Sequence, residues 1–569
     1  MFPSFLMGST QRPTTSFQQY LSRGPDIPVT ERKDDYRIVV IGAGISGIAA
    51  ASSLKRLGFE DVLILEARDR IGGRSYTHDE GFEGLGVDMG AMWIHGTEGG
   101  NPLYAEFKDI LVLSEPVEAS PPTIFHPYDR IPYPPEVSRE LLLRIWRSYE
   151  EARAFAIQNY KSNPSNPPQS FLQWVEQHLR DGTLTAGLDK EEAETVVKLL
   201  QEIAGFEAAE LNDLSMVHFA VERLFPGPQP MVLSGYKSVL QTMLWKAGLL
   251  VGRDVKLGHV VKGISLPTKL STAGDDATLV GDTDQSYPVI LTVQTPSGSE
   301  TKILATHVVC TLPLGVLKAN HWEIFSDPPL PLAKIDAIRN IGFGLLDKVV
   351  MRFSEPWWEG LNWGAGANYV SFAKLSEIGL PGDEDAFIFL DILNYYRILR
   401  TSFQGKNHST QDPPAILIVF TNSNSAKALE NLSEDAITKI CVSELRKMAK
   451  GSGYSLDIPN PIASYVTKWS NDPFARGSYT YVSPRSGSLA QTEQAFDALI
   501  EPLVDIEGNP RVFFAGEHAS KRHFSYQHGA LMSGYSAATA VQETVEPEIA
   551  SQQDGNAGCF SLFSHIFFK

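Results

Sequence analysis

The chain alternates between unbroken apolar runs, helix-spaced apolar positions and polar breaks, and the pattern is sharpest between residues 36 and 74. Ile38-Val39-Val40-Ile41 is a continuous apolar run, which suits a parallel strand buried on both faces. Ile45, Ile48, Ala49, Leu54 and Leu57 then recur at helical spacing, and Val62-Leu63-Ile64-Leu65 is a second strand-like run ending at Glu66. Together they predict a strand–helix–strand unit. Helical patterns over Glu140–Asn159 and Glu191–Phe206 flank the break Asn163–Pro168, and Ser234-Gly235-Tyr236 leads a further helix. Val255–Ile264 reads as one β element, residues 267–286 as a polar loop or hairpin, and Ala305–Leu317 as a strand and turn. Leu417–Phe420 is strand-like, Arg400–Pro414 reads as a polar loop, and Ser433–Lys450 as a helix opened by Ser-Glu-Asp.

The turn between the first strand and helix is Gly42-Ala43-Gly44-Ile45-Ser46-Gly47, a GxGxxG. Gly42 permits a tight turn, Gly44 lets the backbone approach a pyrophosphate, and Gly47 lets helix and strand pack closely. The helix start offers free N–H groups to phosphates, and Glu66 can accept hydrogen bonds from ribose hydroxyls. A glycine turn in an ordinary α/β unit is the competing reading; strand, helix, second strand and acid in sequence favour a dinucleotide site. Arg70-Ile71-Gly72-Gly73-Arg74 follows, where paired glycines admit a ligand and arginine suits phosphate oxygens, or a basic surface turn.

Placed directly after that acid, the RxGGR run resembles the FAD-binding signature of the flavin-dependent amine oxidase family. The resemblance continues through Trp93-Ile94-His95-Gly96, which looks like polyamine oxidases, through Gly342-Phe343-Gly344 before Lys348, and through Trp469–Tyr481, a WxxDPxxxGSY-like stretch. Gly516-Glu517-His518 and Tyr526-Gln527-His528-Gly529 complete it, so that it covers residues 36 to about 541. It implies FAD contacts at Gly42, Gly44, Ile45, Ser46, Gly47, Glu66, Ala67, Arg68, Gly73 and Arg74, and at Gly90, Ala91, Met92 and Trp93. Further contacts are implied at Val261 (adenine), Trp469, Gly516, Glu517, Gln527 and His528. Lys348 matches the lysine that holds a water against flavin N5, Tyr479 and Tyr526 the rings beside the substrate nitrogen, and His95 a histidine facing the substrate tunnel. Read from the residues alone, Lys348 is a strand-end charge, His95 a structural histidine and the tyrosines core aromatics. The place that carries a flavin-tethering cysteine in monoamine oxidases is Ser478 here, which implies non-covalent FAD.

With 569 residues the chain is too long for one simple core. A net charge of −18 argues against nucleic-acid partners and suits a cationic substrate. Cys310, Cys441 and Cys559 are scattered, without CxxC or histidine clusters, so neither a disulfide framework nor a metal site is expected. No run is long enough for a membrane span. Residues 1–33 read as a disordered tail without a secretory signal, residues 546–569 as a second tail, and the Phe568-Lys569 ending is not a peroxisomal SKL; a cytoplasmic location is expected.

The expected fold is therefore α/β: a Rossmann-like FAD-binding domain (34–115, 232–325, 456–545) interleaved with a mixed sheet-and-helix substrate-binding domain (116–231, 326–455). The expected activity is oxidation of a polyamine C–N bond with O2 as acceptor; the oligomeric state stays open. A histone-lysine demethylase resembles parts of the chain, but the helical hairpin insertion of that class has no room here. An L-amino-acid oxidase needs a carboxylate-binding arginine that cannot be picked out. A catalytically idle FAD-binding scaffold is the alternative of another class.

Overall fold

The computed structural model describes residues 33–553, apart from 116–121, 267–286, 362, 365, 381–385, 405–411 and 455–456. The predicted unit forms as strand Arg37–Ile41, helix Ile45–Arg56 and strand Asp61–Leu65. The first strand is central: Val39 lies opposite Val308 on one side and Leu63 on the other, both in parallel. It sits in a six-stranded sheet ordered Leu503–Val504, Pro510–Phe514, His307–Cys310, Arg37–Ile41, Asp61–Leu65, Val255–Lys256. Segments from four distant parts of the chain thus meet edge to edge, and only the Leu503–Val504 edge runs antiparallel.

One face of this sheet is covered by Ile45–Arg56 and by the long last helix, Gln527–Gln553, which lie against each other. A Cβ on Gly534 would fall 2.2 Å from the Ser46 carbonyl oxygen, so the two helices meet backbone to backbone. A three-stranded antiparallel meander, Val260–Ser265, Val289–Gln294 and Glu300–Ala305, stands beside the sheet.

A second six-stranded sheet runs Ala463–Val466, Leu346–Phe353, Ala415–Asn422, Phe387–Asn394, Asn368–Lys374, Thr123–Ile124. It is antiparallel except at the Thr123–Ile124 edge. Helix Glu434–Gly451 packs its apolar side on it, with Ser433 Oγ accepting the Ala436 N–H to cap the start. Helices Pro135–Ser162, Phe171–Arg180, Lys190–Leu199 and Gln201–Phe206 build a separate helical layer.

Several elements differ from expectation. Val255–Ile264 is two strands in two sheets, parted by a turn at Gly258 with φ +69°. Glu191–Phe206 is likewise two helices, broken at Leu200. Arg400–Pro414 begins inside helix Tyr395–Gln404, whose buried Ile398 and Leu399 pack on the second sheet. The Ala463–Val466 strand pairs with Leu346–Phe353, although residue 456 was the expected return to the dinucleotide-binding part. The last helix runs through residue 546, where a tail was expected, because Val541 and Val545 are fully buried against the first sheet's helices. The N-terminal tail up to residue 32, the 267–286 excursion and residues 554–569 lie outside the described residues. Among the described residues no helix is long and apolar enough to cross a membrane.

Candidate active site

Between the two sheets and the helical layer lies a cavity of about 980 Å³, lined from the glycine turn at one end to Tyr149 and Asp391 at the other. Of the residues singled out in sequence, all but two line it. Gly47 stands behind the turn: a Cβ there would fall 1.9 Å from the Gly42 carbonyl oxygen, which explains the third glycine. His528, expected at the cofactor, does not line the cavity; it stacks on the Tyr526 ring at 5.0 Å and 10°.

The glycine turn fits a dinucleotide. Gly42 has φ +99°, and the open side of Gly44 has no atom within 3.9 Å of where a Cβ would sit. Helix Ile45–Arg56 has no side-chain cap, which leaves its first N–H groups for a ligand. Glu66 is buried, and its carboxylate accepts the Ala43 N–H (2.7 Å) and the Arg68 N–H (2.9 Å). That shapes the turn and leaves further lone pairs toward the cavity.

The arginines do more than face phosphates. Arg74 donates to Ser478 O (2.7 Å) and to Glu517 Oε1 (2.9 Å), and Glu517 also accepts from Thr480 Oγ1 (3.0 Å) and Ser525 N (2.9 Å). Arg68 donates to Asp472 Oδ2 at 2.8 Å. Motifs separated by some 400 residues are thereby clamped into one wall. Burial works against the Glu517 charge, but the Arg74 charge and the donors around it hold its carboxyl below the usual range.

Lys348 is buried, and its Nζ donates to Asp88 O (2.9 Å) and Gly90 O (2.6 Å) with Met92 Sδ at 3.0 Å. Burial pulls it down to about 7, while the Asp88 charge opposes the shift. Burial pushes Asp88 up to about 7 against the Thr77 hydroxyl, the Lys348 charge and the Tyr236 N–H. A neutral amine still has two N–H groups for the two carbonyls, so Lys348 can gain or lose a proton without stranding either.

Tyr479 and Tyr526 both line the cavity with their hydroxyls tied off. Tyr479 donates to Phe206 O (3.1 Å) and Gly205 O (3.3 Å), and Tyr526 to Glu222 Oε1 (2.9 Å). Burial and the nearby Glu207 carboxylate raise the Tyr479 phenol; burial with Glu222 and Glu207 raises that of Tyr526. Both are neutral phenols that offer rings rather than protons. His95 Nδ1 lies 2.6 Å from Gln229 Oε1, and its ring meets the Tyr526 ring edge-on at 4.9 Å. Burial lowers its pKa despite Gln229 and Glu222, which gives a neutral ring with Nδ1–H on Gln229 and Nε2 as acceptor.

Six acids on the cavity wall were not found from sequence: Glu150, Glu202, Glu207, Glu222, Glu323 and Asp391. Glu207 accepts from Tyr149 Oη (2.7 Å) and Glu222 from Arg153 Nη1 (2.9 Å), with His218 Nε2 at 3.1 Å from Glu207 and 3.8 Å from Glu222. Burial opposes the His218 charge, but the two carboxylates push it up to about 10. A 3.3 Å contact from Val482 N–H to His218 Nδ1 favours a neutral ring; two buried carboxylates within 4 Å outweigh it. Burial likewise opposes the Glu222 charge, yet His218, Arg153 and Tyr526 bring its carboxyl down to about 2. The spacing His218–Glu222 on one helix turn was the available signal, as was the lone acid Asp391 in the apolar run Phe387–Leu393. Among the described residues no group of three His, Cys, Asp or Glu side chains could hold a metal ion.

A dinucleotide cradle opening into a ring-lined pocket suits an oxidoreductase that works on a small molecule with a bound dinucleotide. Residues 45–542 match the family of flavin containing amine oxidoreductases, and the chain belongs to that family. It is an FAD-dependent amine oxidase. It is 26% identical over 535 residues to a peroxisomal N(1)-acetyl-spermine/spermidine oxidase of Bos taurus, covering 90% of this chain and 96% of that one. It is 27% identical over 558 residues to lysine-specific histone demethylase 1 homolog 3 of Arabidopsis thaliana, covering 91% of this chain but 30% of that protein. The fold is shared with a solved putrescine oxidase bound to putrescine, at a TM-score of 0.57 and 18% identity over 89% of this chain and 99% of the other.

Proposed function

We propose that this amine oxidase acts on polyamines such as spermine or spermidine, free or acetylated, and that its FAD is held without a covalent link. The observation that carries the substrate reading is the cavity wall itself: the buried acids Glu207 and Glu222, the half-buried acids Glu202 and Asp391 and two neutral phenol rings line the pocket. Acids attract a multiply charged amine, and ring faces favour its cationic nitrogens and methylene stems. When bound, FAD would supply a two-electron acceptor for the hydride on the carbon beside the nitrogen, with O2 as the final acceptor, so that the products would be an imine, hydrolysed to an aldehyde, and H2O2.

The chain's own residues prepare the amine. Hydride loss needs a nitrogen lone pair, and His95 Nε2 is an acceptor free to take the extra proton of an incoming ammonium. The rings of Tyr479 and Tyr526 exclude water and line the slot for the reacting nitrogen. Lys348, able to change protonation near neutral pH, supplies a proton or a positive charge on the oxygen side of the cycle. Glu66 and the glycine turn would hold the dinucleotide, and Trp469 and the Gly90–Trp93 segment, which also line the cavity, would serve its flavin end. Neither Cys310 nor Cys441 lines the cavity, and Ser478 occupies the tethering position with its Oγ donating to Leu346 O (3.0 Å). Acid precipitation therefore leaves the yellow colour in the supernatant.

Peroxide release across spermine, spermidine, their N-acetyl forms, benzylamine and amino acids tests this reading. The polyamines should have the highest kcat/KM, declining with salt. An aromatic monoamine or amino acid as the best substrate removes the polyamine assignment.

A further inference from the structure

We propose that Arg476 supplies the counter-charge for the diphosphate of bound FAD, because the arginines of the glycine-rich segment are already tied to other groups. This assignment rests on FAD as the cofactor and holds whichever amine is oxidised.

Five Arg or Lys side chains line the cavity: Arg68, Arg74, Lys262, Lys348 and Arg476. Arg74 is tied to Ser478 O and Glu517 Oε1, and Arg68 to Asp472 Oδ2. Lys348 donates to the Asp88 and Gly90 carbonyls. Arg70 does not line the cavity; it donates to Ile71 O and Gly73 O and lies 3.8 Å over the Tyr76 ring. Arg476 and Lys262 are left without an ion-pair partner among the described residues. A diphosphate brings two negative charges, which the glycine turn and the helix start meet with N–H groups and partial charge alone. A full positive charge is still wanted there, in a form that matches phosphate oxygens; a guanidinium, with five N–H groups in a planar fork, has it.

The backbone singles out Arg476. The N–H groups of Ala475 and Arg476 both reach Asp472 O, at 3.1 and 2.9 Å, and Arg476 ends that turn with φ +55°. A left-handed residue at this place is usually glycine or asparagine, and an arginine there carries strain. Strained positions persist where something else requires them. Ser525, the other non-glycine residue of the cavity wall with a left-handed backbone (φ +72°), shows its reason: its N–H holds Glu517 Oε2 at 2.9 Å. Arg476 is exposed, and a solvated surface charge is the plain reading, but such a charge needs neither the cavity wall nor a strained turn. The turn is pressed on the dinucleotide cradle. A Cβ on Gly315 would fall 2.6 Å from Ala475 O and 2.7 Å from Arg476 O; four residues earlier, Thr311 Oγ1 lies 2.7 Å from where a Cβ on Gly42 would sit. Thr311, Leu312 and Pro313 line the cavity between these two contacts. On its other side the turn holds Arg68, through Asp472 and through the Phe474 ring 5.5 Å from the guanidinium. Arg476 therefore stands at the cradle end of the cavity. Lys262 follows Val261 in the regular strand Val260–Ser265 and serves as the comparison.

The test uses the holoenzyme and the variants Arg476→Gln, Arg476→Lys, Arg476→Gly and Lys262→Gln. The first readout is release of FAD on dilution, followed by flavin fluorescence at low and high salt. Arg476→Gln should raise the Kd for FAD about tenfold at low salt and make it less sensitive to salt, and Arg476→Lys should recover part of the loss. Lys262→Gln should change the Kd by less than about threefold. Arg476→Gly relieves the left-handed backbone, so a residue that served the turn alone would leave FAD as tightly held as in the parent; a loss like that of Arg476→Gln is expected instead. Unchanged affinity in the glutamine or the glycine variant, or a loss in Lys262→Gln as large as in Arg476→Gln, overturns the assignment. The second readout is the phosphorus NMR signal of the bound diphosphate, which requires no release of FAD. It should move in Arg476→Gln and return part of the way in Arg476→Lys; a signal that stays in place in Arg476→Gln overturns the contact. A parent whose yellow colour stays with the acid-precipitated protein refutes the non-covalent reading, and the phosphorus signal then decides on Arg476 by itself.

Discussion

Two pairs of acids look into one cavity with opposite fates. Glu207 and Glu222 stand beside Tyr526 with a cation or hydroxyl for each: His218, Arg153, Tyr149 and Tyr526 itself. Glu202 and Asp391 stand on the helix-and-sheet side near Tyr479, with an oxygen each unpartnered among the described residues and two bare amide oxygens beside them. The first pair already has its partners within the protein, and Glu222, held ionised, is committed to the Tyr526 hydroxyl. The second is held toward protonation by burial. Acidity on a cavity wall says little about ligand binding until the protein's own counter-charges have been subtracted.

The comparison breaks first at His218. Replacing it with leucine leaves Glu207 and Glu222 facing each other with one fewer cation, and should destabilise the holoenzyme by about 3–5 kcal/mol in denaturant unfolding. The sign with pH is fixed. His218 is raised from its ordinary 6.5 to about 10, so its contribution is complete below 6.5 and fades as pH rises toward 10. Glu222 is lowered from 4.5 to about 2, so its contribution is complete above 4.5 and fades as pH falls toward 2. The loss in His218→Leu should therefore be largest between those limits and shrink in alkali; a pH-independent loss makes the ring a packing residue.

A smaller effect belongs to Tyr526→Phe, which keeps the ring and removes the 2.9 Å bond to Glu222. Stability should fall by about 1–3 kcal/mol. The rate of flavin reduction should fall much less than in Tyr526→Ala, since the ring is what lines the slot; equal losses in rapid-mixing traces mean the hydroxyl takes part in the chemistry.

The smallest effect has the opposite sign. Glu202→Gln with Asp391→Asn removes two groups raised above their ordinary values. For Asp391, raised from 3.8 to about 7, the cost to folding is absent below 3.8, grows as pH rises between those limits and is complete above about 7. Without amine at pH 8 the double variant should be as stable as the parent or up to about 2 kcal/mol more stable. A loss as large as that of His218→Leu makes the two pairs alike and ends the distinction.

The dinucleotide half is legible in the chain because its determinants are local. An apolar run, a glycine turn, an acid at a fixed offset and RxGGR each act within a few residues, and the strand, turn and helix stand where those patterns put them. The amine half is less legible because its determinants come from unrelated elements. Glu202 sits on a short helix that reads as the continuation of the previous one, and the break at Leu200 that turns it toward the cavity carries no glycine or proline. Asn368 and Asn422, the bare amides of the same wall, are brought there only by the order of strands in the second sheet. Arg74 reads as a phosphate ligand because Glu517, more than 400 residues on, is invisible as its partner until the chain folds. His528 follows Gln527 in the motif, but one residue along a helix turns a side chain by about 100°, enough to take it behind Tyr526.

The central claim, that this FAD-dependent oxidase works on polyamines, is most directly tested by mixing the oxidised holoenzyme anaerobically with spermine, spermidine, benzylamine and leucine in turn and following the flavin absorbance. The account predicts rapid, complete bleaching by spermine or spermidine and slow or no bleaching by the other two. Faster bleaching by benzylamine or leucine, or a flavin that stays yellow with every polyamine, contradicts it.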